Sequence, residues 1–362
     1  MTETLPDVDV LVVGGAQAGL AAGYYLAKTE HSFLIVDRHN RVGDSWRSRY
    51  DSLTLFTPRA LSALPGLLLD GDPEGYPARD EFAGYLETYA SHFGLPVLSG
   101  NGVTRLERRT DERFVAQLDD GRHIASKAVI VATGAFQKII IPSVGADFGP
   151  AVRQLTPESY RNATDAPTGT VLVVGDGASG RDIAAELSRS HDVVLAVGRS
   201  RRLFPEHILG KSTWWWLRKL GMLRVRPDTT MGRLMRRTDP FPDRGRSLAR
   251  LRQMGVTVSA RLVSAHGRLA FFADESRGTI DSVIWCTGYR DDSTWLQIPG
   301  STHSDGTFLQ KAGLSPIEGL FYLGRPWQRN RASALVMGVG EDASALVPLC
   351  VKYCSDRHLS MV

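Results

Sequence analysis

An α/β protein built from two Rossmann-like units, the first of them split in sequence, follows from three features of this 362-residue chain. A Val-rich run, a Gly-rich turn and a small-residue helical pattern occur twice, in "VDVLVVGGAQAGLAAGYYLAK" and in "TVLVVGDGASGRDIAAELSRS". Each copy is followed by a strand-like run ending in a Thr-Gly turn, "VIVATGAF" at 129–136 and "VIWCTGYR" at 283–290. The spacing repeats as well, since Ala132 lies 118 positions beyond Gly14 and Cys286 lies 111 beyond Gly175. The turn-rich segments "PSVGADFGP" and "NATDAPTG" read as linkers. The predicted division is therefore 1–150, then an inserted unit at 151–290, then 291–362 returning to the first.

In the first unit the run of apolar residues predicts a strand, and the residues after the turn predict a helix. Gly14, Gly15, Ala16, Gln17, Ala18 and Gly19 fill a G-x-G-x-x-G turn in which Ala16 stands at the second glycine place. Such a turn aims the N–H groups at the helix start toward a pyrophosphate, with the helix dipole favouring the negative charge. The next strand, "SFLIVDR", ends in Asp37, 23 positions beyond Gly14, where a carboxylate accepts hydrogen bonds from a ribose diol. An adenosine with a free ribose points to FAD.

The second unit carries the full pattern in Gly175, Gly177 and Gly180, with Ser179 inside it. Its second strand, "DVVLAVGRSRR", ends in Gly198 and Arg199, followed by Arg201 and Arg202, with no carboxylate. Guanidinium groups pair with a 2′-phosphate that a carboxylate would repel. This turn reads as the site of NADPH.

Hydrophobic residues make up 43% of the chain and charged residues 23%, the balance of an ordinary globular protein. The net charge of +4 comes from Arg without a long basic block, so neither nucleic acid nor a membrane is the expected partner. Three cysteines are too few for a disulfide scaffold and point to a reducing compartment. No apolar run reaches spanning length and the N-terminus lacks a signal peptide's basic start, so a cytoplasmic protein is expected. Cys286 stands alone within a predicted strand, and Cys350, Cys354 and His358 fall on one helix face with no fourth ligand in view. We expect no thiol relay and no metal; small buried thiols are the reading.

The segment "KSTWWWLRKLGMLRVRPDTTMGRLMRRTDPFPDRGR" alternates cations with apolar residues, and three consecutive tryptophans cannot share one helix face. Packing of an insertion, a lid over the site, and a surface meeting a membrane or partner all remain open.

Several stretches resemble the flavin-containing monooxygenases, especially their bacterial and plant YUCCA-type branch. "VGDSWRSRYDSLTLFTPRALSALPG" is similar to the family's segment over the flavin, and "YPARDEFAGYLETYA" to the helix after it. "RSRRLFPEHILGKST", "CTGYR" and "GLFYLGRPWQRNRASALVMGVGEDASAL" continue the likeness over nearly the whole chain. The resemblance implies an FAD site extended by Arg38, Ser45, Trp46, Val103, Ala132, Thr133, Gly134 and Gln328, and an NADPH site closed by Thr287 and Gly288. It places Phe56, Thr57 and Gln328 toward the flavin's reactive edge as candidate catalytic residues. Two places depart from the family pattern. Thr156, ahead of Tyr160, stands where the fingerprint has His, and Phe56 stands where animal relatives have Asn.

The resemblance implies a cycle in which NADPH reduces FAD, oxygen adds at flavin C4a, and the resulting (hydro)peroxyflavin oxygenates a small organic substrate. NADP⁺ stays bound and keeps water away. The cofactor carries the chemistry and the protein supplies position and dryness, so no acid–base dyad is sought. Aromatic, lipophilic or 2-oxo-acid substrates fit the YUCCA-like stretch. The alternatives are an NAD(P)H-linked flavin oxidoreductase or oxidase without oxygen insertion, and a non-catalytic regulatory protein that binds FAD. A homo-oligomer stays open.

Overall fold

The computed structural model describes residues 5–199, 201, 203–238 and 240–359; Arg202 lies outside the described residues, as does the His358 side chain. The architecture is α/β, with two parallel-centred sheets. In the first, Val8–Val13 lies between Phe33–Val36 and the long strand His123–Val131, parallel to both. Val97–Leu98 extends one edge. On the far side His123–Val131 has two neighbours in succession. Its first half pairs antiparallel with Phe114–Leu118, Phe114 facing Ser126, and its second half pairs parallel with Leu320–Tyr322, Leu320 facing Val129. The run "VDVLVV" is buried at Val10 through Val13, as a central parallel strand requires. Helix Gln17–Leu26 covers one face together with the C-terminal helix Val336–Leu359.

The second sheet is wholly parallel, in the order Thr257–Ser259, Asp192–Ala196, Thr170–Val174, Ser282–Trp285, Arg153–Leu155. Helix Ala178–Leu187 packs on it and buries Ile183, Ala184 and Leu187. The two sheets join where Lys138–Ile139 pairs antiparallel with Tyr289–Arg290. One expectation is corrected here. Cys286 lies one residue beyond strand Ser282–Trp285, in the turn, where its N–H donates to the Val174 carbonyl (2.8 Å). Burial pushes its thiol up to about 12, so it stays protonated.

The tryptophan segment folds as a hairpin, His207–Ile208 with Lys211–Ser212, then helix Thr213–Lys219, and further on helix Thr230–Thr238. The three tryptophans diverge. Trp214 is buried, Trp215 is exposed, and Trp216 donates its indole N–H to the Ile208 carbonyl (2.9 Å).

Candidate functional site

The two Gly-rich turns repeat one geometry. Gly14 has φ +109°, and a Cβ there would lie 2.7 Å from the Ala132 carbonyl oxygen. Gly175 has φ +103°, and a Cβ there would lie 2.4 Å from the Cys286 carbonyl oxygen. At the sixth position, a Cβ on Gly19 would stand 1.8 Å from the Gly14 oxygen, and one on Gly180 1.9 Å from the Gly175 oxygen. Only glycine lets each helix approach its strand this closely. The third position is looser, since a Cβ on Gly177 would meet only Arg201 Nη2 at 4.0 Å. That openness explains why Ala16 is tolerated at the equivalent place. Neither helix has a side-chain cap at its N-terminus, which leaves the first N–H groups for an anion.

At the first turn, Asp37 sits at the end of its strand with Oδ2 accepting from the Gly15 N–H (2.5 Å). Oδ1 takes the His39 N–H (2.8 Å) and lies 2.7 Å from its ring nitrogen. Burial alone would raise its carboxyl, but hydrogen bonds from His39 and Gly15 overcome this and hold it below its ordinary 3.8. It is therefore an ionised acceptor beside the turn. The Asn101 N–H bonds the Asp37 carbonyl (2.9 Å), which brings the strand beginning at Val103 to the same end, beside Arg38. Ser45 and Trp46 lie on helix Asp44–Arg47. Trp46 donates its indole N–H to Gln17 Oε1 (3.0 Å) and sets its ring edge-on to Phe82. Thr133 and Gly134 follow Ala132, both held by the Gln137 amide (2.8 and 2.7 Å).

At the second turn, Asp176 occupies the position between the two glycines and is 4% exposed. Its carboxylate meets Arg181 Nη2 at 2.9 Å and Arg201 Nε at 3.5 Å. Arg181 is itself buried. It also donates to the Asp176 carbonyl (2.9 Å) and to the Arg246 carbonyl (2.9 Å). Arg201 is thus brought to the turn, whereas Arg199 is exposed at the strand end. Thr287 bonds the Ile140 carbonyl, and Gly288 (φ +94°) accepts from the Ile140 N–H (3.0 Å). The buried Asp176–Arg181 pair is invisible to motif reading, because the x of a G-x-G turn carries no rule.

The loop residues separate. Phe56 stacks on Trp214, ring centroids 5.8 Å apart, and its carbonyl accepts the Trp214 indole N–H (2.7 Å). Around them pack Leu61, Leu223, Ala332 and Met337. The Thr57 hydroxyl is buried and 2.7 Å from that of Ser62. Gln328 is buried with both ends of its amide engaged, Nε2 donating to the Tyr322 carbonyl (2.8 Å) and Oε1 accepting from the Arg325 N–H (3.2 Å). Its amide braces the C-terminal turn, while Phe56 joins a separate apolar cluster and the Thr57 hydroxyl is engaged by Ser62. Thr156 turns its hydroxyl onto the N–H groups of Glu158 and Ser159 (3.3 Å each), and Tyr160 is buried in the second core.

Two dinucleotide-binding turns of this kind, on two sheets linked by the pair Lys138–Ile139 with Tyr289–Arg290, define a two-nucleotide flavoprotein. The family model for pyridine nucleotide-disulphide oxidoreductases matches residues 11–212. An "uncharacterized oxidoreductase CzcO-like" protein of Geobacillus kaustophilus is 45% identical over 94% of this chain and 97% of its own. The rice (Oryza sativa) indole-3-pyruvate monooxygenase YUCCA8 is 26% identical over 84% of this chain and 82% of its own. The structure of a flavin-containing monooxygenase from Stenotrophomonas maltophilia superposes with a TM-score of 0.79 at 27% identity, covering 97% of this chain and all of that one. The chain belongs to the pyridine nucleotide-disulphide oxidoreductase family, within its flavin-containing monooxygenases. It is an enzyme of that class, and FAD and NADPH are its cofactors. Among the described residues no helix is long and apolar enough to cross a membrane.

Proposed function

We propose that this protein uses NADPH and dioxygen to oxygenate a small organic molecule on bound FAD. The observation that carries the reading is the contrast between two like turns, one ending on the Asp37 carboxylate and the other drawing in the Arg201 guanidinium. The first fits a ribose diol and the second a 2′-phosphate. The division into 1–150, 151–290 and 291–362, with the outer portions holding FAD, and a cytoplasmic location belong to the same proposal.

FAD supplies the electron and oxygen chemistry when bound; the chain's residues bind, orient and exclude water. Gly14 through Gly19 cradle the pyrophosphate, Asp37 accepts from the ribose, and Trp46 fixes Gln17 at the start of the helix. Gly175 through Gly180 do the same for NADPH, with Arg201 held at the turn by Asp176 and Arg199 at the strand end. Gln328 fixes the C-terminal turn. Phe56, stacked on Trp214, supplies the apolar wall proposed for the site, and Thr57 fixes the loop behind it through Ser62. The similarity to the rice indole-3-pyruvate monooxygenase makes an aromatic 2-oxo acid a fitting first probe.

The test is turnover of the FAD-loaded protein under ¹⁸O₂ with NADPH and indole-3-pyruvate or an aryl thioether. Label in the organic product supports the reading. Hydrogen peroxide equal to NADPH consumed, with every substrate tried, would transfer the protein to the oxidases.

A further inference from the structure

We propose that the hairpin and two helices of residues 207–238 form a docking face for an anionic membrane surface. The stretch holds eight Lys and Arg against the single acid Asp228, a net +7 in a chain whose total is +4. The remainder of the molecule is therefore net negative, and the positive charge is concentrated here. Six large apolar side chains in the same stretch lie open to solvent: Ile208, Leu209, Trp215, Leu220, Met231 and Leu234. Water-facing apolar groups interleaved with cations are the composition of an interfacial element, where rings and alkyl chains enter the headgroup boundary and cations meet lipid phosphates.

The geometry sharpens this. Leu209 is at the hairpin tip, 88% exposed, and its φ of +49° is one a leucine adopts at a cost. Neither its burial nor its backbone explains a leucine there; insertion of the tip into a bilayer does. The hairpin is braced from behind. Trp216 bonds the Ile208 carbonyl, and the exposed Trp215 stands edge-on to Trp216 at 4.8 Å. Leu220, at the end of the first helix, is 68% exposed. On helix Thr230–Thr238, Gly232 and Met235 turn inward, while Leu234 faces out between the exposed Arg233 and Arg237. Charge selects the occupant. A second copy would bring one +7 face against another, and nucleic acid offers nothing to apolar tips. Anionic lipid satisfies both halves of the face.

The experiment is co-sedimentation of the FAD-loaded full chain with vesicles of phosphatidylcholine alone or mixed with phosphatidylglycerol, at low and high salt. Binding is expected only to the mixed vesicles and is weakened by salt. Arg233→Gln, Arg236→Gln and Arg237→Gln together should lower the binding constant about a hundredfold, from about fivefold per cation. Leu209→Asn should weaken it as well, although asparagine suits the left-handed backbone better than leucine, so the hairpin loses nothing. FAD content and the midpoint of thermal unfolding monitor both variants. No sedimentation with phosphatidylglycerol vesicles, or equal binding to neutral ones, would overturn the proposal. So would a concentration-dependent dimer that Leu209→Asn dissolves, or salt-sensitive capture of duplex DNA without capture of vesicles.

Discussion

Trp214 and Phe56, 158 positions apart, are joined twice: the Trp214 indole N–H donates to the Phe56 carbonyl at 2.7 Å, and the rings stack at 23°. The inserted segment is thereby fastened to the loop "LFTP" of the first unit. Trp214→Phe keeps a ring and removes the donor, leaving a part-buried carbonyl without its partner. We expect a loss of about 1–3 kcal/mol in unfolding free energy and a higher yield of hydrogen peroxide per NADPH. Chemical denaturation and a peroxide assay read the two effects.

In the proposed site Phe56 is the side chain that would keep water out. Phe56→Ala opens a gap beside Trp214 and should raise the peroxide fraction further than Phe56→Asn, which refills much of the space with an amide. The ratio of peroxide to NADPH consumed, measured for both variants without substrate, gives the order. An Ala variant as well coupled as the wild type removes Phe56 from this role.

Nucleotide choice should rest on Arg201. Arg201→Ala should weaken NADPH by about 2 kcal/mol, the worth of a charge-assisted pair, and leave NADH nearly untouched. Asp176→Asn should narrow the same preference, because Arg201 loses its anchor at the turn. Steady-state kcat/KM for the two nucleotides decides it. Wild-type protein that uses both equally contradicts the assignment.

Gly19→Val should yield protein without FAD, since even a Cβ at this position lies 1.8 Å from the Gly14 oxygen. The absorbance ratio of the purified variant in the visible and at 280 nm is the readout. A fully yellow variant would refute the reading of the first turn.

Asp37 sets a pH dependence. Its folded pKa lies below the ordinary 3.8, so its contribution is present above that value and lost as pH falls through the folded one. The stability advantage of wild type over Asp37→Asn should be present at about pH 5 and shrink below about pH 4. Thermal midpoints of both apoproteins across that range test the sign.

The fold was legible because its signals are local. A buried parallel strand reads as a Val run, and a helix pressed against it needs glycine at fixed places, so Gly14, Gly19, Gly175 and Gly180 could be placed without coordinates. Arg201 could be chosen from chemistry alone, but its anchor could not, because Asp176 and Arg181 form a buried pair in positions the pattern leaves free. The Trp214–Phe56 contact joins segments far apart in sequence and leaves no periodic trace. The family resemblance put Gln328 toward the flavin edge, and the chain binds both ends of its amide. Hydrogen-bond saturation of a side chain is a property of the folded state only.

The strand His123–Val131 gains its last partner late. Val129 pairs with Leu320, about 190 residues further along the chain. A ribosome adding roughly 5–20 residues per second needs some 10–40 seconds to cover that distance. For that interval the newborn protein carries an open edge of bare Val and Ile, while the whole inserted sheet emerges and can close by itself. The order of birth is thus the reverse of the order of completion: the part begun first is finished last. A slower elongation rate lengthens the exposure of that edge, and an unpaired apolar edge is what invites pairing with another chain.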